Sequence, residues 1–214
     1  MTDRRPWIVG VSGASGTPYA RAVLTGLLEA GQAVDVIVSR AARLTILDET
    51  GISFRDNHWA TDLAEWLQRE PVDVRYWTAT DLAAGPASGS YPARGMVVVP
   101  ASTAAVAGIA LGLSKDLLQR AADVSLKERR PLVVVPRETP YARSTLVNLL
   151  GLYDAGATVL PASPAFYAGA ADVQQLVDFV AAKVLDVLGV EHSLITRWTG
   201  QLGLGRNPSG QPAE

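Results

Sequence analysis

The chain has 214 residues, of which 48% are hydrophobic and 19% are charged, and its formal net charge is −2. This length and apolar content suffice for one full-sized core, so we expect one domain. The charge balance offers no electrostatic case for binding nucleic acid or an anionic membrane. Cysteine is absent, which excludes disulfides and thiolate chemistry, and the two histidines, His58 and His192, argue against a histidine-based metal site.

The chain opens with a strand, a small-residue turn and a helix. An apolar run at residues 7–11 predicts the first strand, and residues 17–30 follow a helical pattern. The turn between them, residues 13–16, reads G-A-S-G, as in a Rossmann-like opening. Its glycines let the backbone approach a phosphate, and the helix start offers free N–H groups to it. The turn is not G-x-G-x-x-G, so it fits a mononucleotide phosphate better than a dinucleotide; a plain tight turn is the alternative.

Strands and helices continue to alternate along the chain. We predict further strands at 33–38, 72–77, 96–99, 132–135 and 156–160, and helices at 40–50, 61–68, 103–111, 115–130, 142–154 and 173–188. This alternation predicts an α/β fold with a Rossmann-like, doubly wound parallel sheet and helices on both faces. The N-terminal residues lack a signal-peptide pattern, and the uncharged stretch 95–114 indicates strand, turn and helix rather than a membrane span. We therefore expect a cytoplasmic protein.

Three loops follow strands and are expected to meet at one edge of the sheet: residues 13–16, 101–103 and 137–139. The carboxyl edge of such a sheet is where ligands bind. Ser102 is a natural helix N-cap, so the helix after it offers a second candidate anion or cofactor site. Arg137 beside Glu138 suits an anionic ligand and a proton transfer.

Other charged residues leave two interpretations open. Asp116, Arg120, Asp123 and Lys127 share one stripe of a helix, which is either a solvated, self-paired face or the wall of an interface or active site. Lys183 lies at the edge of an apolar stripe, where it either snorkels or points into a cleft. Glu49 by itself indicates a polar residue at a helix end.

Several motifs, quoted in chain order, carry a family resemblance. They are G-A-S-G at 13–16, S-R-A-A at 39–42 with E-T at 49–50, S-G-S at 88–90, R-A-A-D-V-S-L-K-E-R-R-P-L at 120–132, P-R-E-T-P at 136–140, G-A-T-V-L-P-A-S-P-A-F-Y at 156–167 and V-L-D-V-L-G at 184–189. Together and in register, they resemble the flavin prenyltransferases, the UbiX-type flavoproteins formerly described as aromatic acid decarboxylases. The resemblance covers nearly the whole chain, so we expect one FMN-binding flavoprotein domain at 1–198 and a flexible or partner-contacting tail at 199–214.

The resemblance implies a reaction. Reduced FMN is alkylated by dimethylallyl phosphate, first at N5 and then at C6, without a metal. The prenylated FMN then serves a UbiD-type decarboxylase. The family also implies a homo-oligomer as large as a dodecamer. Whether the donor is the mono- or the diphosphate stays open.

The resemblance also implies roles for individual residues. The flavin contacts are Gly13, Ala14, Ser15, Ser39, Ser102, Thr103, Ala104, Ala105 and Arg137. Tyr167 and Lys183 bind the dimethylallyl phosphate, and Lys127, Arg137 and Glu138 complete that phosphate site. Glu138 donates the proton to the leaving oxygen, Glu49 manages protons during ring closure, and Tyr91 or Trp198 are aromatic neighbours for the allyl fragment. Several of these groups are expected to come from neighbouring subunits.

The sequence departs from the family pattern in places, and rival functions exist. Alanines stand at 101 and 105 in the second flavin loop, and Leu111, Asp116 and Thr145 replace other family residues. These changes bear on affinity and donor preference more than on the reaction class. One alternative is an FMN-dependent cysteine-type decarboxylase of the same fold, which uses a histidine early in the chain. The other is a non-catalytic flavin carrier for a decarboxylase.

Overall fold

The computed structural model describes residues 4–166, 170–195 and 197. Within them, the strands are β1 (Trp7–Val11), β2 (Val34–Val38), β3 (Val74–Thr78), β4 (Gly95–Ala101), β5 (Leu132–Pro136) and β6 (Thr158–Val159). The helices are α1 (Thr17–Glu29), α2 (Arg40–Thr50), α3 (Trp59–Leu67), α4 (Thr103–Ala110), α5 (Leu117–Lys127), α6 (Arg143–Asp154) and α7 (Val173–Leu188). Short 3₁₀ turns occupy Asp56–His58 and Gly85–Ala87.

The strands form one sheet in the order β3-β2-β1-β4-β5-β6, and every neighbouring pair is parallel. The chain winds outward from β1 to β3, then returns to β4 beside β1 and winds the other way. The predicted Rossmann-like, doubly wound α/β fold is therefore confirmed. Strand β3 lies at one edge of this sheet.

Two apolar layers cover the two faces of the sheet. Because side chains alternate along a strand, Val9 and Val11 enter one layer and Ile8 enters the other. The first layer contains apolar residues of α1, α2, α3 and α7, and the second contains those of α4, α5 and α6. Burial on both faces explains why the strands are continuous apolar runs.

Element boundaries depart from the sequence pattern mainly at helix ends and at β6. Helix α5 is shorter than the predicted 115–130, because Asp116 is its N-cap and accepts a hydrogen bond from Gln119 N at 2.9 Å. Strand β6 has two residues instead of five, and it pairs only with β5. Asp172 caps α7 as predicted, with Gln175 N donating to it at 2.8 Å.

Some predictions fall beyond the described part of the chain. Tyr167, Trp198 and the tail 199–214 all lie outside the described residues. Among the helices of the described ranges, none combines the length and the apolar character needed to cross a membrane.

Candidate active site

The candidate site lies where β1 and β4 end side by side. These adjacent strands feed helices on opposite faces of the sheet, α1 on one and α4 on the other. Loops that diverge from neighbouring strands leave a crevice at the carboxyl edge, which is where open α/β sheets bind ligands. The loop after β5 flanks the same crevice.

Ser12 joins the first two loops. It is 2% exposed, its Oγ donates to the Pro100 carbonyl at 2.8 Å, and it accepts from Ser102 N at 2.7 Å. One hydroxyl therefore connects the end of β1 to the backbone on both sides of Ala101. Ser12 is not among the predicted site residues; its only signal in the sequence is a polar residue directly after an apolar strand.

Gly13 places the first loop against α2. A Cβ at Gly13 would lie 2.3 Å from the Ala41 Cβ, so no larger residue fits without displacing the helix. Ser39 N donates to the Val11 carbonyl at 2.9 Å, and its Oγ accepts from Ala42 N at 3.1 Å as the N-cap of α2. The predicted flavin contacts Gly13 and Ser39 thus lie together at the ends of β1 and β2.

Glu49 binds the start of α1. Its Oε1 accepts from Gly16 N at 2.8 Å, and its Oε2 accepts from Thr17 N at 2.8 Å and Thr17 Oγ1 at 2.6 Å. Burial acts to raise the pKa of Glu49, but hydrogen bonds from Thr17, Ser15 and Gly16 outweigh it and hold the pKa below its ordinary value. Glu49 is therefore an ionised carboxylate at the crevice.

This contact changes the interpretation of the helix start. The sequence predicted that the first N–H groups of α1 are free for a phosphate. That prediction is wrong for Gly16 and Thr17, whose N–H groups already donate to Glu49. Glu49 in turn is more than the polar residue of a helix end, because it joins α2 to α1 beside Ser15.

The start of α4 is the better anion-binding terminus. Ser102 is its N-cap as predicted, with Ala105 N donating to Ser102 Oγ at 3.2 Å. The cap leaves the N–H groups of Thr103 and Ala104 without intrahelical acceptors, since the first turn of a helix has none. These two groups and the positive end of the helix dipole suit an anionic group.

Arg137 brings the third loop to the first. Its Nε donates to the Ser15 carbonyl at 2.8 Å, and its backbone N donates to the Ala101 carbonyl at 3.2 Å. Glu138 is exposed, and one of its oxygens accepts from Thr139 N at 2.9 Å. The prediction that all three loops meet at one edge is confirmed by these contacts.

Lys127 does not join Arg137 and Glu138 within one chain. It ends α5, which runs back toward the amino end of β5, whereas Arg137 follows the carboxyl end of that strand. Five residues of β5 separate the two ends by roughly 16 Å. Lys127 instead pairs with Glu128 beside Gly89, in the loop before β4.

Lys183 is also away from the three loops. Its Nζ lies 3.2 Å from Asp186 Oδ2, and the side chain is half exposed. Asp186 accepts further bonds from Arg197 at 2.8 Å and His192 at 3.1 Å. Hydrogen bonds from Arg197 above all, then Lys183 and His192, lower the pKa of Asp186 against the opposing effect of burial.

The charged stripe of α5 faces a loop. Arg120 pairs with Asp123 at 2.8 Å, and its Nε donates to the Ala87 carbonyl at 3.1 Å. The stripe is therefore partly self-paired and partly a wall against residues 85–91. Tyr91, proposed as a neighbour of the allyl fragment, donates its hydroxyl to Asp35 at 2.6 Å and packs its ring against Trp77.

In the described ranges, no cluster of three or more His, Asp or Glu side chains is arranged to hold a metal ion. The chemistry available at the crevice is instead that of cations, carboxylates and backbone donors. Arg137, the start of α4 and the glycine-containing first loop can bind an anionic, planar cofactor, and Glu49 and Glu138 can exchange protons.

Comparison with known proteins identifies relatives along nearly the whole chain. A family model described as Flavoprotein matches residues 1–185. The chain is 66% identical to a flavin prenyltransferase UbiX of Streptomyces coelicolor, across 96% of this chain and 100% of that protein. It is 39% identical to a flavin prenyltransferase UbiX of Pseudomonas aeruginosa, across 90% and 93%.

Solved structures agree with these relatives. AnUbiX (PadA1), crystallised with FMN and dimethylallyl pyrophosphate, superposes with a TM-score of 0.82 at 33% identity, covering 93% of this chain and all of that one. A dodecameric FMN-dependent UbiX-like decarboxylase of Escherichia coli gives 0.81 at 39% identity, covering 91% and 100%. The FMN-dependent cysteine decarboxylase TvaF reaches 0.57 at 16% identity, which shows a common fold alone.

Proposed function

Since this chain belongs to the flavin prenyltransferase family of flavoproteins, we propose that it transfers a dimethylallyl group from dimethylallyl phosphate to reduced FMN. The group bonds first to N5 and then to C6 of the flavin. The observation that carries the proposal is Arg137, whose Nε donates to the Ser15 carbonyl while the next residue is Glu138. The Arg137 cation is thereby fixed beside residues 13–16, and an exposed carboxylate, Glu138, follows it directly in the chain.

The carboxyl-edge residues fit FMN. Gly13 and Ala14 keep the first loop flat against α2, since a Cβ at Gly13 has no room beside Ala41. Thr103 and Ala104 offer backbone donors at the start of α4, and Arg137 adds a positive charge. Ser15, Ser39, Ser102 and Ala105 complete the flavin contacts. FMN, once bound in its reduced form, supplies the nucleophilic atoms of the reaction.

Cleavage of the prenyl donor requires positive charge near its phosphate and one proton for the leaving oxygen. When the bond between its allyl carbon and its phosphate oxygen breaks, the phosphate carries extra negative charge, which Arg137, Lys127 and Lys183 stabilise. Glu138 gives the leaving oxygen its proton. On ring closure C6 bonds to the prenyl group, whose double bond is consumed and takes up a proton while C6 loses its own; Glu49, held ionised by its donors on α1, manages this proton transfer. Tyr167 binds the donor phosphate.

Lys127 and Lys183 act on the site of a neighbouring subunit. Neither lies at the carboxyl edge of its own chain, so a complete phosphate site requires more than one copy. The relative in Escherichia coli is described as dodecameric, which supports such an assembly. A candidate contact surface is the outer face of α6, where four apolar side chains are at least half exposed: Leu146, Val147, Leu150 and Tyr153.

The product, prenylated FMN, goes to a UbiD-type decarboxylase in the cytoplasm. The alternative function as a cysteine-type decarboxylase has less support, because the structural match to that group lies at 16% identity. The carrier alternative predicts flavin binding without prenyl transfer, an outcome that the experiment below distinguishes.

The direct experiment incubates the protein anaerobically with reduced FMN and either dimethylallyl monophosphate or diphosphate, followed by mass spectrometry of the flavin. We expect a flavin heavier by one prenyl unit with at least one donor. Reactions with oxidised FMN, or without the donor, should leave the mass unchanged. Flavin that binds but gains no prenyl unit with either donor would contradict the proposal.

A further inference from the structure

Asp35 is a buried carboxylate far from the flavin loops. It is 1% exposed in the second position of β2, near the amino edge of the sheet. Tyr91 donates its hydroxyl to Asp35 Oδ2 at 2.6 Å, and Arg75 NH1 donates to that same hydroxyl at 3.1 Å. Burial raises the pKa of Asp35 despite the bond from Tyr91. A carboxylate kept in such surroundings requires partners: Tyr91 donates to one of its oxygens, and Arg75 Nε lies 3.8 Å from the other.

Tyr91 closes the loop that carries the S-G-S motif. Its backbone N donates to the Ser88 carbonyl at 3.2 Å, and its ring lies so close to Gly85 that a Cβ there would be 2.5 Å from the ring. The hydroxyls of Ser88 and Ser90 are 2.9 Å apart, which tightens the turn between them. The loop is therefore held at its end by the bond from Tyr91 to Asp35, and before the turn by Arg120 Nε on the Ala87 carbonyl.

The other side of this loop supports the end of α5. Arg130 NH2 donates to the Gly89 carbonyl at 2.5 Å. A Cβ at Gly89 would lie 2.7 Å from Lys127 Nζ and 2.2 Å from Glu128 Oε1. Gly89 thus leaves room for the ends of the Lys127 and Glu128 side chains, and a shift of the loop changes the space available to that pair.

We propose that Tyr91 is a positioning residue of the prenyl-donor site, which acts through Lys127. Its bond to Asp35 holds the turn at residues 88–90 in place, and that turn fixes the Lys127 ammonium for the donor phosphate. The inference rests on the proposed function, since Lys127 is assigned there to the donor phosphate. It also explains the glycine at the centre of the S-G-S motif, because a Cβ at Gly89 would collide with the Lys127–Glu128 pair.

The chain contains a matched control. Tyr76 donates to Asp56 Oδ1 at 2.6 Å, and Arg43 NH2 donates to the Tyr76 hydroxyl at 3.1 Å. Burial, reinforced by the bonded aspartate, raises the pKa of both Tyr76 and Tyr91. The two clusters share their chemistry, but Tyr76 packs against Phe54 and Trp59, away from the 85–91 loop.

The experiment compares Tyr91→Phe with Tyr76→Phe in the full-length oligomer. We expect Tyr91→Phe to raise KM for dimethylallyl phosphate, and to lower kcat/KM roughly tenfold, because the cation is misplaced. The Kd for FMN should stay within about twofold of the wild type, since the flavin loops are untouched. Tyr76→Phe should leave both constants unchanged. Equal effects of the two substitutions would overturn the inference.

A double-mutant cycle tests whether the effect passes through Lys127. In a Lys127→Met background, Tyr91→Phe should lower kcat/KM by less than about twofold further, because residues that act as a unit are not additive. A second full tenfold loss would contradict the inference. Gly89→Ala provides an independent variant, since it moves Lys127 without unpairing Asp35 and should also raise KM.

Hydrogen exchange separates this inference from the proposed function. Tyr91→Phe should speed exchange of the amides at residues 88–91, and Tyr76→Phe should not. Unchanged exchange at 88–91 would overturn the inference even if turnover fell. Wild-type protein without prenyl transfer would overturn the proposed function instead, while leaving the loop measurement interpretable.

Discussion

The two edges of the sheet differ in how completely they are built within one chain. At the carboxyl edge, Ser12, Glu49 and Arg137 connect three loops by hydrogen bonds that cross 32 to 122 residues of sequence. At the amino edge, Lys127 lies against the 85–91 loop, and within the described residues its ammonium pairs with the neighbouring Glu128. The three loops of the carboxyl edge are bonded to one another, whereas the Lys127 cation at the amino edge is about half exposed. Under the proposed function, we therefore expect one chain to supply the flavin contacts and more than one chain to supply the donor site.

Mixed oligomers give the largest test of this comparison. Lys127→Met and Glu138→Gln should each lower kcat/KM about 100-fold or more. The first removes a cation that stabilises the leaving phosphate, and the second removes the proton donor. Both should still bind FMN. If the two residues meet only across an interface, co-assembled variants should recover about a quarter of wild-type activity, since random mixing restores both groups at that fraction of sites.

The control is a mixture of separately assembled homo-oligomers that cannot exchange subunits. It should show only the residual activity of each variant. Absence of recovery after co-assembly, with mixed oligomers verified by two affinity tags, would place both residues in one chain and contradict the comparison of the two edges.

The sequence predicted the carboxyl edge better than the amino edge, for a physical reason. Apolar runs and cap residues such as Ser39 and Ser102 are local signals, and parallel strands place the loops after them at one edge. The charged stripe on α5 predicts on which face of the helix Lys127 lies, but not at which edge of the sheet it lies. The position of Lys127 along the axis depends on α5 running antiparallel to β5, which separates it from Arg137.

Local sequence patterns could not predict contacts between side chains that are far apart in the chain. Glu49 bonds Thr17, which is 32 residues earlier, and nothing in the local pattern of α2 indicates that partner. Asp35 interrupts an apolar strand, which is a visible anomaly, but its partner Tyr91 follows 56 residues later. Such pairs require the tertiary fold, because they depend on which elements become neighbours.

Ser12→Ala tests the bonds between the loops of the carboxyl edge, with a smaller expected effect. The substitution leaves the partly buried Ser102 N–H without its acceptor, which should cost about 1–3 kcal/mol of unfolding free energy. FMN affinity should fall as well, because the first two loops are no longer joined. Urea unfolding and flavin fluorescence titration measure the two effects.

Ser125→Ala is the matched control for Ser12. Ser125 is 1% exposed, and its hydroxyl donates to the Ala121 carbonyl at 2.8 Å inside α5. Its loss should cost about 1 kcal/mol or less and leave FMN affinity unchanged, since no other element depends on it. Equal loss of flavin affinity in both variants would mean that Ser12 has no special part in the crevice.

Glu49→Gln has the smallest expected effect on stability, and the pH dependence of that effect identifies its cause. Because the folded pKa of Glu49 lies below the ordinary 4.5, its stabilisation is present above that value and disappears as the pH falls through the folded pKa. Glutamine keeps one acceptor but loses the charge at the start of α1, so at pH 7 it should cost about 0.5–1 kcal/mol after solvent screening. The Tm of the wild type and of Glu49→Gln should therefore differ at neutral pH and become equal in acid.

The control is the exposed neighbour Asp48 changed to Asn, which removes a charge from α2 and should shift Tm little at any pH. A Glu49→Gln difference that persisted in acid would show that the carboxylate acts by packing rather than by charge, and the ionised base at the crevice would lose its structural support.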